Sequence, residues 1–514
     1  MANLSRRGLL GAGLAGLTAA VSSQAPFNVE NPVVRLKRRP KNIIFVVFDG
    51  MGVQCPTIAH HFQQMMGKAG GDWQWLMDLP ETKLALQDTR SLNCVVTDSS
   101  AAASTWGSGR RIFNGMTNMY PDGTKLRTLV QLMHAKRVKC GLVTTTTITH
   151  ATPTGFALNC IDRDLQPLMA EMYPESGVDV VMGGGNNYIA ADLRSDKKDA
   201  YEGYRRAGFQ IVRTRDEMRA LRTGKVLGVF ADSHLPYTID RRNDAKLRSN
   251  VPTLAELTTK AIELLDGGPN GFLLQVEAGR VDHANHGNDC VGMLYDQIEG
   301  EAALRAAVEF AMRDGDTLVI ATADHACGGV ALNGAGSEYE DANTGLLKLK
   351  DAKGSASSIS AWAAAGAKLG KLKAADIQDK VEDVLKVQLT EEEALYVKDA
   401  AYEKTKDALP IFRRGLSDVL GVVLANHYKI GFTSGNHTND AVPVLAWGPG
   451  SENIHGLIKN TWFNTFILAT KDIQHKNPLM TYAEAREHYD KMKKAIDPDW
   501  YEMYAAHEEC ACHG

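Results

Sequence analysis

Gly271–Phe–Leu–Leu–Gln–Val276 followed by Glu277–Ala–Gly–Arg–Val–Asp282–His283–Ala–Asn–His286 carries the decisive pattern of this chain. The apolar run from Gly271 to Val276 reads as a buried β-strand, and Glu277 ends it with a carboxylate. If the residues beyond are helical, Asp282 and His286 are one turn apart and share a face, so both side chains reach one ion. The same letters also fit a strand, a turn and a solvated helix rich in Asp and His. The rest of the chain decides between them.

Similar apolar runs recur at Asn42–Phe48, Val138–Thr144, Val178–Met182, Val226–Phe230, Leu318–Ala321 and Val442–Trp447. Their apolar character is continuous rather than alternating, which fits strands buried on both faces. Helical patterns lie between them. The fold expected is therefore α/β, with a large, mostly parallel central sheet sandwiched between helices. Asp49 ends the first run, Glu277 the fifth and Asp324–His325 the sixth, while the second leads through a threonine run to Thr152. In open α/β sheets ligands bind beyond the carboxyl ends of the strands, so four strand ends deliver ligand atoms to one edge.

The domain organisation expected is an α/β core over 26–340, a mainly helical insertion over 341–430, and completion of the core with a tail over 431–514. Within the insertion, Ile377, Val381, Val384 and Leu385 follow helical spacing, and Thr390–Glu–Glu–Glu393 reads as a capping box. The insertion reads as a cap or crown over the site. Residues 1–25 read as a twin-arginine export signal. Ser5–Arg6–Arg7–Gly8 precedes a Gly/Ala-rich apolar stretch too short to span a membrane, and Ala25 suits cleavage. Such a signal implies a periplasmic or extracellular location.

The 514 residues, 44% apolar and 23% charged, are those of a globular protein, and a net charge of −4 offers nucleic acid no attraction. No apolar window in the body of the chain is long enough for a membrane span. The eight cysteines form no C-x-x-C pair, which argues against a zinc ribbon or a thioredoxin-like centre. Cys510–Ala–Cys512–His513 reads as a frayed end. Cys327, three residues past Asp324, reads as a buried structural thiol rather than a ligand. Gly183–Gly–Gly185 lacks the Lys–Ser/Thr of a phosphate loop and reads as a turn.

Asp98–Ser99 followed by Ser100–Ala–Ala–Ala103 reads as a helix N-terminus, where backbone N–H groups favour an anion and small side chains let it approach. Beside a metal site, Ser99 becomes a candidate nucleophile. At this point a resemblance becomes specific. Asp49–Gly–Met–Gly52, Asp98–Ser99, His150–Ala–Thr152–Pro153, Arg163, Glu277-x4-Asp282-x3-His286, Thr322–Ala–Asp324–His325 and Asn436–His437–Thr438 stand in the order and spacing of alkaline phosphatases. The likeness runs from about residue 41 to 450 and is weakest across the helical insertion.

The resemblance implies phosphate-monoester hydrolysis through a phosphoserine on Ser99, with two zinc ions and one magnesium. Asp282, His286 and His437 would hold one zinc; Asp49, Asp324 and His325 would hold the other, next to Ser99. Asp49, Thr152 and Glu277 would hold the third ion with oxygen alone, as a hard cation prefers. Arg163 would clamp two phosphate oxygens with its planar fork. His150 and His283 fall where some members carry Asp and Lys and others carry His, and near the third site they let another ion compete with magnesium. A homodimer is the family expectation. Ligand scaffold alone leaves the reaction class open, so a phosphodiesterase and a non-catalytic phosphate- or metal-binding protein remain the alternatives.

Overall fold

The strand Asn42–Phe48 sends alternate side chains into two separate cores. In the computed structural model, which describes residues 34–404 and 415–495, Ile44, Val46 and Phe48 join one apolar cluster. Ile43, Phe45 and Val47 join the other. A strand with period-two side chains and both faces buried needs the unbroken apolar run seen in its sequence.

The strands are β1 (Asn42–Phe48), β2 (Lys83–Asp88), β3 (Lys139–Thr147), β4 (Val180–Gly184), β5 (Phe209–Val212), β6 (Lys225–Val229), β7 (Phe272–Ala278), β8 (Thr317–Thr322), β9 (Ala326–Cys327), β10 (Ala331–Leu332), β11 (Ile430–Gly431), β12 (His437–Thr438), β13 (Val442–Trp447) and β14 (Gly456–Lys459). Among the described residues ten of them form one sheet, in the order β14-β2-β13-β8-β1-β7-β3-β4-β6-β5. Neighbours run parallel except β13, which is antiparallel to both β2 and β8. The α/β class with a mostly parallel sheet between helices is thus observed. β2, β5 and β14, not anticipated from sequence, lie toward or at the edges. The alternating burial of β2 explains why a search for continuous apolar runs passes over it.

One expectation needs correction. Glu277 does not terminate its strand: β7 continues to Ala278, because pairing with β1 extends through Val47↔Glu277 and Phe48↔Ala278. The register has a consequence for the edge. Val47 also pairs with Thr322 of β8, so Asp49 and Asp324 stand level, each two residues beyond that rung. Glu277 starts lower and has one more methylene with which to reach them.

Long helices cover the sheet. Cys290–Asp314 begins at Asp289, whose carboxylate accepts the Gly292 N–H, and ends at Gly315 in the left-handed region. Between Asp341 and Tyr428 the described residues form helices and no strand of the main sheet. Leu346, Ile359, Ile377, Val381, Val397 and Leu424 of that segment belong to the same apolar cluster as one face of the sheet. Thr390 caps the helix Glu391–Ala401 through a capping box with Glu393. Residues 1–25, read from the sequence as an export signal, and the Cys510–Cys512 end lie outside the described residues. No helix among the described residues is long and apolar enough to cross a membrane.

The helix Ser99–Ser108 packs against the helix Ala151–Ala157 at backbone distance. A Cβ added at Gly107 would stand 1.8 Å from the Gly155 carbonyl oxygen. Gly107→Ala must therefore push the two helices apart, and we expect it to cost about 1–3 kcal/mol. Thermal unfolding measures this; an unchanged melting temperature would show that the contact tolerates a methyl group.

Candidate active site

The carboxyl edge of β1, β7 and β8 collects the side chains. Asp49 follows β1, Glu277 lies near the end of β7, and Asp324 and His325 follow β8. Gly279 opens the short helix Arg280–His286, which puts Asp282 and His286 on one face; His286 Nε2 is 3.2 Å from Asp282 Oδ2. His437 begins β12 and brings its Nε2 to 3.6 Å from Asp282 Oδ1. Ser99 is the first residue of its helix. Asp98 caps that helix by accepting the Ala101 N–H, the arrangement its small-residue pattern implies.

Two imidazoles are held for ligation. His286 donates from Nδ1 to the Gly435 carbonyl at 2.6 Å, and His437 donates from Nδ1 to the Thr97 carbonyl at 2.8 Å. Each carbonyl takes the Nδ1 proton and orients its ring, so the two Nε2 atoms, 2.9 Å apart, are the ones turned to an ion when one is bound. His325 turns its Nε2 toward Ser99 Oγ at 3.1 Å, Asp324 Oδ2 at 3.1 Å and Asp49 Oδ1 at 3.7 Å. Thr152 Oγ1 lies 3.5 Å from Asp49 Oδ2, and Glu277 accepts from the hydroxyls of Thr144 and Thr146.

Three groups of potential metal ligands emerge among the described residues: Asp282, His286, Cys327 and His437; Asp49, Asp324 and His325; and Asp49, His150 and Glu277. Asp49 belongs to two of them. The donor chemistry fits divalent cations. Asp49 Oδ1, Glu277 Oε1, both oxygens of Asp282 and Asp324 Oδ2 are buried without a hydrogen-bond partner. Native proteins leave few buried polar atoms in that state unless an ion or water completes them.

Titration behaviour points the same way. Burial, reinforced by the carboxylates of Asp324, Asp282 and Glu277, pushes Asp49 well above the usual carboxylate range. Burial also pushes Glu277 up to about 7, against the Thr144 hydroxyl that favours its ionised form. Burial works on Asp282 too, but the imidazole of His286 and then of His437 outweigh it and hold that carboxyl well below its ordinary value.

The phosphate-facing candidates also converge. Arg163 is buried; its Nη1 donates to Asp98 Oδ2 at 3.2 Å and its Nη2 lies 3.4 Å from His150 Nε2. Asp98 thus ties the guanidinium to the helix that carries Ser99. His150 immediately precedes the helix that holds Thr152, and its ring centroid is 5.3 Å from that of His283. His283 accepts from Arg280 through Nδ1 at 2.8 Å. Burial, then His234 and Arg280, depress its pKa well below the usual imidazole range.

All the residues singled out in the sequence therefore meet at one edge of the sheet. Two further side chains stand beside them. His234 lies against His283, with ring centroids 4.4 Å apart and the planes tilted by 57°. The only sequence sign of it was its position just past the carboxyl end of β6. Cys327, set aside as a structural thiol, stands within the first ligand group.

A sheet edge lined with buried carboxylates and imidazoles, beside a serine at a helix N-terminus, is the layout of a metal-dependent hydrolase. The family model for alkaline phosphatase matches residues 40–473. Alkaline phosphatase 3 of Bacillus subtilis is 33% identical over 431 residues, covering 82% of this chain and 87% of that protein. The crystal structure of the Thermus thermophilus alkaline phosphatase superposes with a TM-score of 0.83 at 31% identity, over 91% of this chain and 99% of that one. A cold-active alkaline phosphatase from a psychrophilic Shewanella gives a TM-score of 0.67 at 25% identity, over 83% and 99% of the two chains. The chain belongs to the alkaline phosphatase family, a metal-dependent family, and is a phosphomonoesterase.

A proton count checks the state of the oxygen-rich group. With its carboxyl raised to about 7, Glu277 is largely protonated near pH 6 in the metal-free protein and ionised near pH 8. Asp49 in the same group is raised as well, so loading with Mg2+ should release protons at about pH 6, and affinity should rise with pH through this window. Calorimetric titration in buffers of different ionisation heat reads this; no proton release at the lower pH would contradict it.

Proposed function

We propose that the chain hydrolyses phosphate monoesters through a phosphoserine on Ser99, at a centre holding two zinc ions and a third, magnesium-type ion. Asp282, His286 and His437 would hold one zinc, Asp49, Asp324 and His325 the other, and Asp49, Thr152 and Glu277 the third ion. The proximity of Ser99 Oγ to His325 Nε2, 3.1 Å, carries this reading, because it sets the hydroxyl against the group that Asp49 and Asp324 share. When bound, the ions supply Lewis acidity at the attacking and leaving oxygens and lower the pKa of a water.

Ser99 Oγ attacks phosphorus, forming the serine ester bond as the substrate's ester P–O bond breaks and the alcohol leaves. The helix N-terminus under Ser99 turns backbone N–H groups toward the phosphoryl oxygens. Arg163 binds two of the non-bridging oxygens, its orientation held by Asp98. A water then displaces Ser99 and releases inorganic phosphate. Three divalent cations against the four carboxylates of Asp49, Glu277, Asp282 and Asp324 leave a net charge of roughly +2, which draws a phosphate dianion.

His150 and His283 stand near the third site, with His150 close enough to offer a nitrogen alongside Asp49 and Glu277. Imidazole there favours a borderline metal over magnesium. The twin-arginine pattern supports export to the periplasm or beyond, and the family supports a homodimer.

Activity on p-nitrophenyl phosphate should fall by at least about a thousandfold in Ser99→Ala, and the parent should cleave the monoester faster than bis-p-nitrophenyl phosphate. An active Ser99→Ala protein would remove the serine from the reaction. Faster cleavage of the diester would make the chain a phosphodiesterase instead.

A further inference from the structure

Cys327 has no part in the chemistry assigned above, yet its position is fixed with care. It is the second residue of β9, and the register of the short antiparallel ladder with β12 sets it directly opposite His437. Partners across such a rung bring their side chains together on one face. The Cys327 N–H donates to the Gly50 carbonyl at 3.0 Å, and the next N–H, of Gly328, donates to the Asn436 carbonyl at 2.8 Å. The backbone is therefore tied on one side to the loop after β1 and on the other to the loop that carries His437.

The thiol is 1% exposed. Its sulfur, a carboxylate oxygen of Asp282 and a ring nitrogen each from His286 and His437 all lie within 4.8 Å of one another. A second observation, independent of the cysteine, points to a ligand in this space. Asp282 is fully buried with its oxygens short of hydrogen-bond partners, and the polar atoms turned toward it are the Nε2 atoms of His286 at 3.2 Å and His437 at 3.6 Å. Four ligand atoms of the types zinc prefers thus lie close enough together to share one ion.

We propose that Cys327, as a thiolate, is a fourth protein ligand of the ion held by Asp282, His286 and His437. The proposal rests on the metal reading of the site. Coordination replaces the S–H bond with a sulfur–metal bond and releases one proton to solvent. An Asp–His–His–Cys set offers the soft donor that selects zinc or cobalt over magnesium and manganese. It also adds one negative charge, taking the centre from roughly +2 to roughly +1. The ion is then held more firmly and pulls less strongly on the leaving oxygen of the ester.

Cobalt exchange in the full-length protein tests this directly. Co2+ bound with a thiolate should show a near-ultraviolet sulfur-to-cobalt charge-transfer band besides its visible ligand-field bands. Cys327→Ser and Cys327→Ala should both lose the charge-transfer band, keep the visible bands, and bind zinc at least about tenfold more weakly in chelator competition. Cys55→Ser, which alters another buried thiol near Asn285, should keep the full spectrum. Visible bands with no charge-transfer band, or a band that persists in both Cys327 variants, would overturn the thiolate while leaving the metal site standing. A protein that takes up no cobalt would overturn the metal reading itself, and the thiolate with it.

Discussion

Four carboxylates share one buried edge of this sheet, and the rest of the site follows from their repulsion. Asp49, Glu277, Asp282 and Asp324 are all fully buried, and several of their oxygens have no hydrogen-bond partner. An unpaired buried ion costs roughly several kcal/mol even after relaxation. Four such groups would rival the whole stability of a typical fold, about 5–15 kcal/mol. Part of the cost is avoided by keeping a proton, as the raised Asp49 and Glu277 carboxyls do, and part by the imidazole of His286 beside Asp282. Bound cations would remove the remainder, which makes charge compensation the organising constraint of the edge.

The fold supplies the rigidity this requires. β1 lies between β7 and β8, so one register fixes three of the four carboxylates relative to one another. The fourth, Asp282, enters from the helix that follows β7. The helix that carries Ser99 is seated by backbone-to-backbone contact at Gly107 and Gly155, and Asp98 couples its N-terminus to Arg163. Ser99, the guanidinium and the candidate ligand groups are therefore tied to one frame. That suits catalysis by positioning and electrostatics, where small displacements are expensive.

Much of this was legible in the sequence, for a physical reason. Strands buried on both faces must be apolar throughout, so β1, β3, β4, β6, β7, β8 and β13 announce themselves. Most of the candidate ligands stand close to such a run or one helical turn past it. β2, with alternating burial, and the short strands β5 and β14 carry no comparable signal. The extension of β7 through Ala278 depends on pairing with its neighbours rather than on its own residues. Cys327 shows the limit most clearly. Its neighbours in sequence suggest an inert thiol, and only the two-residue ladder between β9 and β12 brings its sulfur against His286 and Asp282. His234 is similar, since nothing near it in sequence pairs it with His283.

Because Asp49 belongs to two of the three ligand groups, metal content per chain probes the whole arrangement at once. Elemental analysis of the purified protein should find three divalent ions per chain. Asp49→Asn should retain one, the ion held by Asp282, His286 and His437. A parent protein without stoichiometric metal, or an Asp49→Asn protein that keeps all three ions, would contradict the view that the buried carboxylates exist to hold cations.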